Sequence, residues 1–280
     1  MGTGQLNALS AAQVQALDTA DVAALTSTQV AGLSSTNVTA LTSSQVQALT
    51  TGQLQALSSS QINALDATDI GAMGTNQVAA LTTAQVSKLS NTSLEGITTT
   101  QMGALSSTQV AALTTSQVAA LSDAQVGGMG TTQVVGLTSG QFAAMNEGQI
   151  QSLSTAEVAT LGTAQVNTLS TGALASFTAA QVTALGTAQV SAMTTTQLNA
   201  LSEDQVLALG TEDVAALTTS QVAGLSNAKV TALSSAQVKA LTTSQLQAMS
   251  SAQINALDAD DISAMSTTQV AGLSTLQVNK

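Results

Sequence analysis

Every eighth residue from Leu9 to Leu273 is large and apolar, without one slip of register. Leucine fills most of these places, and Met73, Ile97, Met129, Met145, Phe177, Met193, Met249 and Met265 fill the others. Counted from the residue after each leucine, the unit reads [S/T/D/N/G]-[S/T/A]-small-Q-[V/I/L]-variable-[A/G]-[L/M], and residues 106–121 hold two copies in succession, SSTQVAAL and TTSQVAAL. A strict period of eight suits neither a long helix nor a strand. In a continuous helix, eight residues at about 100° each leave the apolar pair turned by about 80° per unit, so no stripe survives. In a strand, positions five and eight have opposite parity and face opposite sides of the sheet.

Position one resolves the conflict. It admits only Ser, Thr, Asp, Asn and Gly, as at Ser10, Asp18, Thr26, Gly74 and Asn146, which is the set favoured at helix N-caps. Three residues later stands Gln in most copies and otherwise mainly an acid, as at Asp21, Asp69, Glu157, Asp213 and Asp261. Cap and Gln or Glu at that spacing form the capping box, in which the later side chain reaches back to the cap amide. A new helix therefore begins every eight residues. The expected fold is an all-α solenoid of two-turn helices, one per octad, with a β-solenoid as the alternative because of the Val and Thr content.

On such a helix, positions five and eight lie three apart on one face and belong to a shared core. Positions three and seven are small, either to admit a neighbouring backbone or as surface filler. Position six varies among Gln15, Asn63, Glu95 and Lys239 and is the expected solvent position. One octad buries too little to order itself, and isolated helices below about 12 residues are marginal, so neighbours must supply the missing walls. Phe142 and Phe177, the only aromatics, are read as larger core fillers.

Above the octad lies a longer repeat. Residues 2–88 match residues 194–280 at an offset of 192, or twenty-four octads, and they share their departures from consensus. Asn7 pairs with Asn199, Asp21 with Asp213, Ile62 with Ile254, Asn63 with Asn255, Asp69 with Asp261, and Lys88 with Lys280. The expected organisation is one continuous solenoid over residues 1–280. A turn of three, four or six octads would let the long repeat close on whole turns.

Composition then removes function classes. The chain has no Cys, His, Trp, Tyr or Arg, and its cations are Lys88, Lys229, Lys239 and Lys280, for a net charge of -11. Nucleic-acid binding needs a basic footprint, anionic membrane surfaces attract basic helices, and no apolar run approaches the roughly 18 residues of a spanning helix. No His is present to activate the many hydroxyls, so the expectation is that the protein is not an enzyme and uses no cofactor. The only residues with metal-ligating chemistry are acids: Asp18 with Asp21, Asp66 with Asp69, Asp258 with Asp260 and Asp261, and Glu203 and Asp204 near Glu212 and Asp213. Their oxygens suit calcium, while carboxylates at a cap and in the first turn are also what a helix start prefers.

The octads, TTSQVAAL at residues 114–121 and STAEVATL at residues 154–161, resemble the degenerate octapeptide arrays of large bacterial secreted or surface proteins of adhesin-like or haem-utilisation-like type. The resemblance covers the whole chain and implies a bacterial extracellular repeat protein. It carries over no site residue, and no His, Tyr or Cys is present as a usual axial haem ligand. The expected function is thus a structural, self-associating element: a fibre, a surface layer or an adhesin stalk, joined end to end or laterally. A solenoid face that binds protein or glycan is the alternative, and an ice-binding array is a further one. Residues 1–11 lack the basic and hydrophobic parts of a signal peptide, so the expectation is export without an N-terminal signal, or a segment of a longer secreted chain. Peptides of two or three octads are expected to be mostly unfolded by circular dichroism, and strong helicity in one of them would contradict a fold that depends on stacking.

Overall fold

The computed structural model describes residues 1–278 and contains thirty-five short helices among them, one per octad, from Thr3–Asn7 to Thr275–Val278. No strand occurs among the described residues, so the β-solenoid alternative is set aside. Each helix runs four to six residues and starts at a cap with extended backbone, as at Ser106 (φ -74, ψ 158). It ends when the position-eight residue turns extended, as at Leu113 (φ -59, ψ 142). In many octads two extended residues, positions eight and one, are the whole connection. No described residue has a positive φ, so the chain restarts its helices without a left-handed glycine.

Position-five side chains such as Val46, Val78 and Val110 are buried in unbroken series, and the leucines of position eight beside them are buried too. Phe142 and Phe177 take the same places as Val and Leu and are buried. The helices form two compact units, Met1–Met145 and Asn146–Lys280. In the first, Ser107–Ala112 packs against Thr131–Gly136; in the second, Ser235–Ala240 packs against Ala259–Ala264. Within each unit, most helices thus lie against the third one along. Side-chain bonds between turns span 25 to 31 residues, as from Gln47 to Ala72 and from Gln109 to Val78. One turn therefore takes about 28 residues, the span from Gln109 to Leu81. That is three and a half octads, and not three, four or six. The half-octad stagger seats each helix over the joint between two helices of the turn before, much as bricks overlap.

The stagger gives position seven its meaning. A Cβ on Gly96 would stand 2.2 Å from the carbonyl oxygen of Ala67, and one on Gly136 would stand 2.7 Å from that of Ser107. The same crossing, between a position-seven residue and a position-two residue 29 places earlier, recurs at Gly224 against Thr195. Small residues in position seven thus admit a neighbouring backbone. Position three is a different case: Ala12, Ala20 and Ala84 are exposed, and Gly4 has nothing within 4 Å. Replacement of Gly96 by Val is expected to force two turns apart and cost about 1–3 kcal/mol. Gly4→Ala, in open space within a helix, is expected to stabilise by about 0.4–1 kcal/mol. Thermal melts followed by circular dichroism would separate the two.

Candidate functional site

The chemistry of this chain is concentrated in position four, and Gln109 shows it completely. Its Oε1 accepts the N–H of the cap Ser106 at 2.8 Å, and its own N–H donates to Ser106 Oγ at 3.2 Å, which closes the capping box. Its Nε2 then donates to the carbonyls of Val78, Ala79 and Leu81 in the preceding turn, at 3.1, 3.2 and 2.7 Å. Gln245 repeats this in the second unit, on Val214, Ala215 and Leu217. These carbonyls belong to the end of a helix, where the last four lack α-helical donors; Val78 also accepts the N–H of Leu81 at 3.2 Å. The fourth is reached from the other side: Gln47, Gln55, Asn63 and Gln247 in position six donate to the position-seven carbonyls of Ala72, Ala80, Lys88 and Gly272, 25 residues on. Position six is exposed as expected, yet it also joins turns. Among the described residues no buried side-chain nitrogen or oxygen lacks a partner.

In three octads where position four is not Gln, a second residue takes over. Asn37, Ser93 and Lys229 provide no carbonyl oxygen to their own cap amides. The N–H groups of Ser34, Ser90 and Ser226 instead donate to Oδ1 of Asn7, Asn63 and Asn199, 27 residues earlier, at 2.7 to 2.8 Å. Asn7 and Asn199, shared by the two copies of the long repeat, and Asn63 are thus substitutes for the missing box. Lys229 donates Nζ to the Leu201 carbonyl and leaves beside it a cavity of about 20 Å³ lined by leucines and valines.

The acids named from the sequence occupy helix starts. Asp66 accepts the N–H of Asp69 at 2.8 Å, and Asp258 accepts that of Asp261 at 2.8 Å. Asp69 and Asp261 turn inward and accept the hydroxyls of Ser43 and Ser235. Asp18 is an N-cap without a side-chain cap bond, and Asp21 is exposed. Glu203 and Asp204 share one first turn, as do Glu212 and Asp213, and Asp260 is exposed beside Asp261. Among the described residues, no three acidic or other ligating side chains converge as a metal site would require. No described helix is long and apolar enough to cross a membrane.

Asp69 and Asp213 stand buried where other octads place a donor. Burial pushes the Asp69 carboxyl up from the ordinary 3.8, with the Ser43 hydroxyl opposing and the Asp66 charge adding to it. Burial likewise raises Asp213, opposed by the Gly210 N–H and reinforced by Glu212. A raised folded-state value means that the folded chain binds the proton more tightly than the unfolded one. The stabilisation is full below the ordinary value and is lost as pH rises through the raised one.

The outermost turns differ from the rest. Gln5 and Gln13 are exposed, and Nε2 of neither has a partner among the described residues. Ile262, Val270 and Val278 are exposed although they occupy the core position five. Ile254, Leu257, Met265 and Leu273 line a recess beside them.

A family model described as the ALTTAQ repeat matches residues 1–35, 14–51, 51–83, 83–115, 111–139, 135–171, 158–195, 174–211, 184–219, 206–243 and 242–275. Comparison with curated proteins gives no match. Melting temperature is expected to rise as pH falls from neutral towards about 4, and Asp69→Asn is expected to remove part of that dependence. The new amide should also stabilise the neutral protein by roughly the 0.5–1.5 kcal/mol of one hydrogen bond, since Asn37 in the same position reaches the Leu6 carbonyl at 2.8 Å.

Proposed function

The chain belongs to the ALTTAQ repeat family, and from that premise we propose that it is a structural, self-associating protein displayed outside a bacterial cell. A fibre, a surface layer or the stalk of an adhesin fits this reading, and it needs no catalysis and no cofactor. The observation that carries it is the nature of the seam. Turn joins turn through glutamine amides aimed at main-chain carbonyls and through interchangeable Val, Ile, Leu and Met side chains. Every octad has such carbonyls, so the seam fits one turn to any other and favours association of like with like.

Surface chemistry supports the same reading. Exposed positions two, three and six are mostly Ser, Thr, Ala, Gln and Asn, and charged residues make up 7% of the chain. Neutral surfaces of this kind approach one another with little long-range repulsion beyond the net -11, which physiological salt screens over about 8 Å. The resemblance to bacterial surface arrays is the support for an extracellular place. Sedimentation velocity over a range of protein concentrations, with negative-stain microscopy of the same samples, is expected to give concentration-dependent polymers seen as filaments or sheets. Discrete monomers at every concentration would overturn the reading.

A further inference from the structure

Among the described residues, bonds between main-chain groups outside the helices join residues three or four apart, as from Leu81 to Val78 and from Gly32 to Thr28. Neighbouring turns are held by side chains instead. The amide of Gln101 lies on the carbonyls of Ile70, Gly71 and Met73, that of Gln109 on Val78, Ala79 and Leu81, and that of Gln47 on Ala72. The chain has no Cys, so no disulfide crosses from turn to turn. A turn therefore has one seam to the turn before and one to the turn after, each closed by its own amides and its own Val and Leu pairs. Such a stack is coupled only between neighbours. Tension along its axis meets the seams in series, where every seam feels the same force and the weakest opens first.

The seams are not equal. Gln101 and Gln109 each make three amide bonds to the turn before, but Asp69 in the same position has no donor while ionised. Its side chain makes one bond to that turn, as acceptor of the Ser43 hydroxyl at 2.8 Å. No described side chain donates to the Leu41 carbonyl, which stands in register 28 residues earlier, as Leu81 does to Gln109. Asp261 and Ser235 repeat the arrangement in the second unit.

The same features favour return. A released turn of about 28 residues stays joined at both ends to turns that remain folded. That connection keeps its register, and the folded neighbours present the carbonyls and the apolar wall that it left. The loop to be closed is short. No Pro and no Cys occurs in the chain, so neither prolyl isomerisation nor disulfide exchange delays the rewinding.

We infer that each unit is a reversible elastic element: under tension along its axis it lengthens turn by turn, beginning in the first unit at the seam of Asp69, and it rewinds when the tension falls. The inference concerns the turns of one chain and stands whether or not chains associate.

Extension of the full-length chain in optical tweezers tests it. Ala20→Cys/Thr132→Cys supplies two attachment points in the first unit, on exposed residues four turns of 28 residues apart, so that the pull crosses the seams along the axis. The expected record is a series of steps of one turn, each releasing about 100 Å of chain at about 3.3–3.6 Å per residue, with relaxation retracing extension. Asp69→Gln in the same background is expected to raise the force of the first step. Gln109→Glu/Gln117→Glu is expected to lower it, because Glu keeps the cap bond, as Glu157 does with Ser154, and loses the donor. A single rupture releasing about 400 Å would overturn the inference. So would steps that fail to reverse on relaxation, or a first step whose force neither substitution changes.

Discussion

A helix of five or six residues has almost as many unpaired carbonyls as paired ones, and this protein is built around the way those carbonyls are satisfied. The last four of each helix have no α-helical partner inside it, and the position-five carbonyl keeps a tightened bond from the position-eight N–H, as Val78 does from Leu81 at 3.2 Å. One glutamine from the next turn covers three of them, as Gln109 does for Val78, Ala79 and Leu81. A position-six side chain of the turn before covers the other, as Gln47 does for Ala72. Without that supply the helices would bury polar backbone, at a cost comparable to a lost hydrogen bond for each group. The pairing of Val and Leu in the core gives the turns a reason to stack, and the amide bonds fix how they do so.

Two demands meet in that one side chain. The capping box uses only the carbonyl oxygen of position four, and Glu serves it as well as Gln, as Glu157 does with the Ser154 amide. A carboxylate at a helix start would even gain from the helix dipole. The chain nevertheless uses Gln in most octads, because only the amide has a donor left for the neighbouring turn. Asp69 and Asp213 make the point from the other side: they fill the box position, cannot donate while ionised, and have raised proton affinities because they are buried there. Where the oxygen is absent, at Ser93 and Lys229, an asparagine 30 residues earlier serves the cap amide instead.

The same economy bears on assembly. An interface that reads main-chain carbonyls at a fixed offset is indifferent to most sequence changes, which suits an array whose octads drift while their register holds. It also means that an uncovered turn differs from a covered one only in what lies over it. The exposed Val270 and the buried Val78 are the same position of the same long repeat.

Helix boundaries, caps, the core pair at positions five and eight and the 192-residue duplication were all legible in the residues, because each depends on interactions within eight residues or on identity along the chain. The reason for small residues in position seven stayed open between close approach and filler, and the amide arm of Gln went unread although its preference over Glu was the available signal. The acids could be placed at helix starts, yet which of them turn inward, as Asp69 does to Ser43, was not readable. The turn of about 28 residues, seen in the span from Gln109 to Leu81, was decided by tertiary structure alone. It follows from the angle at which two extended residues, as at Leu113 and Thr114, set one short helix against the next, and a local motif repeated identically contains no information about which distant copy it will meet.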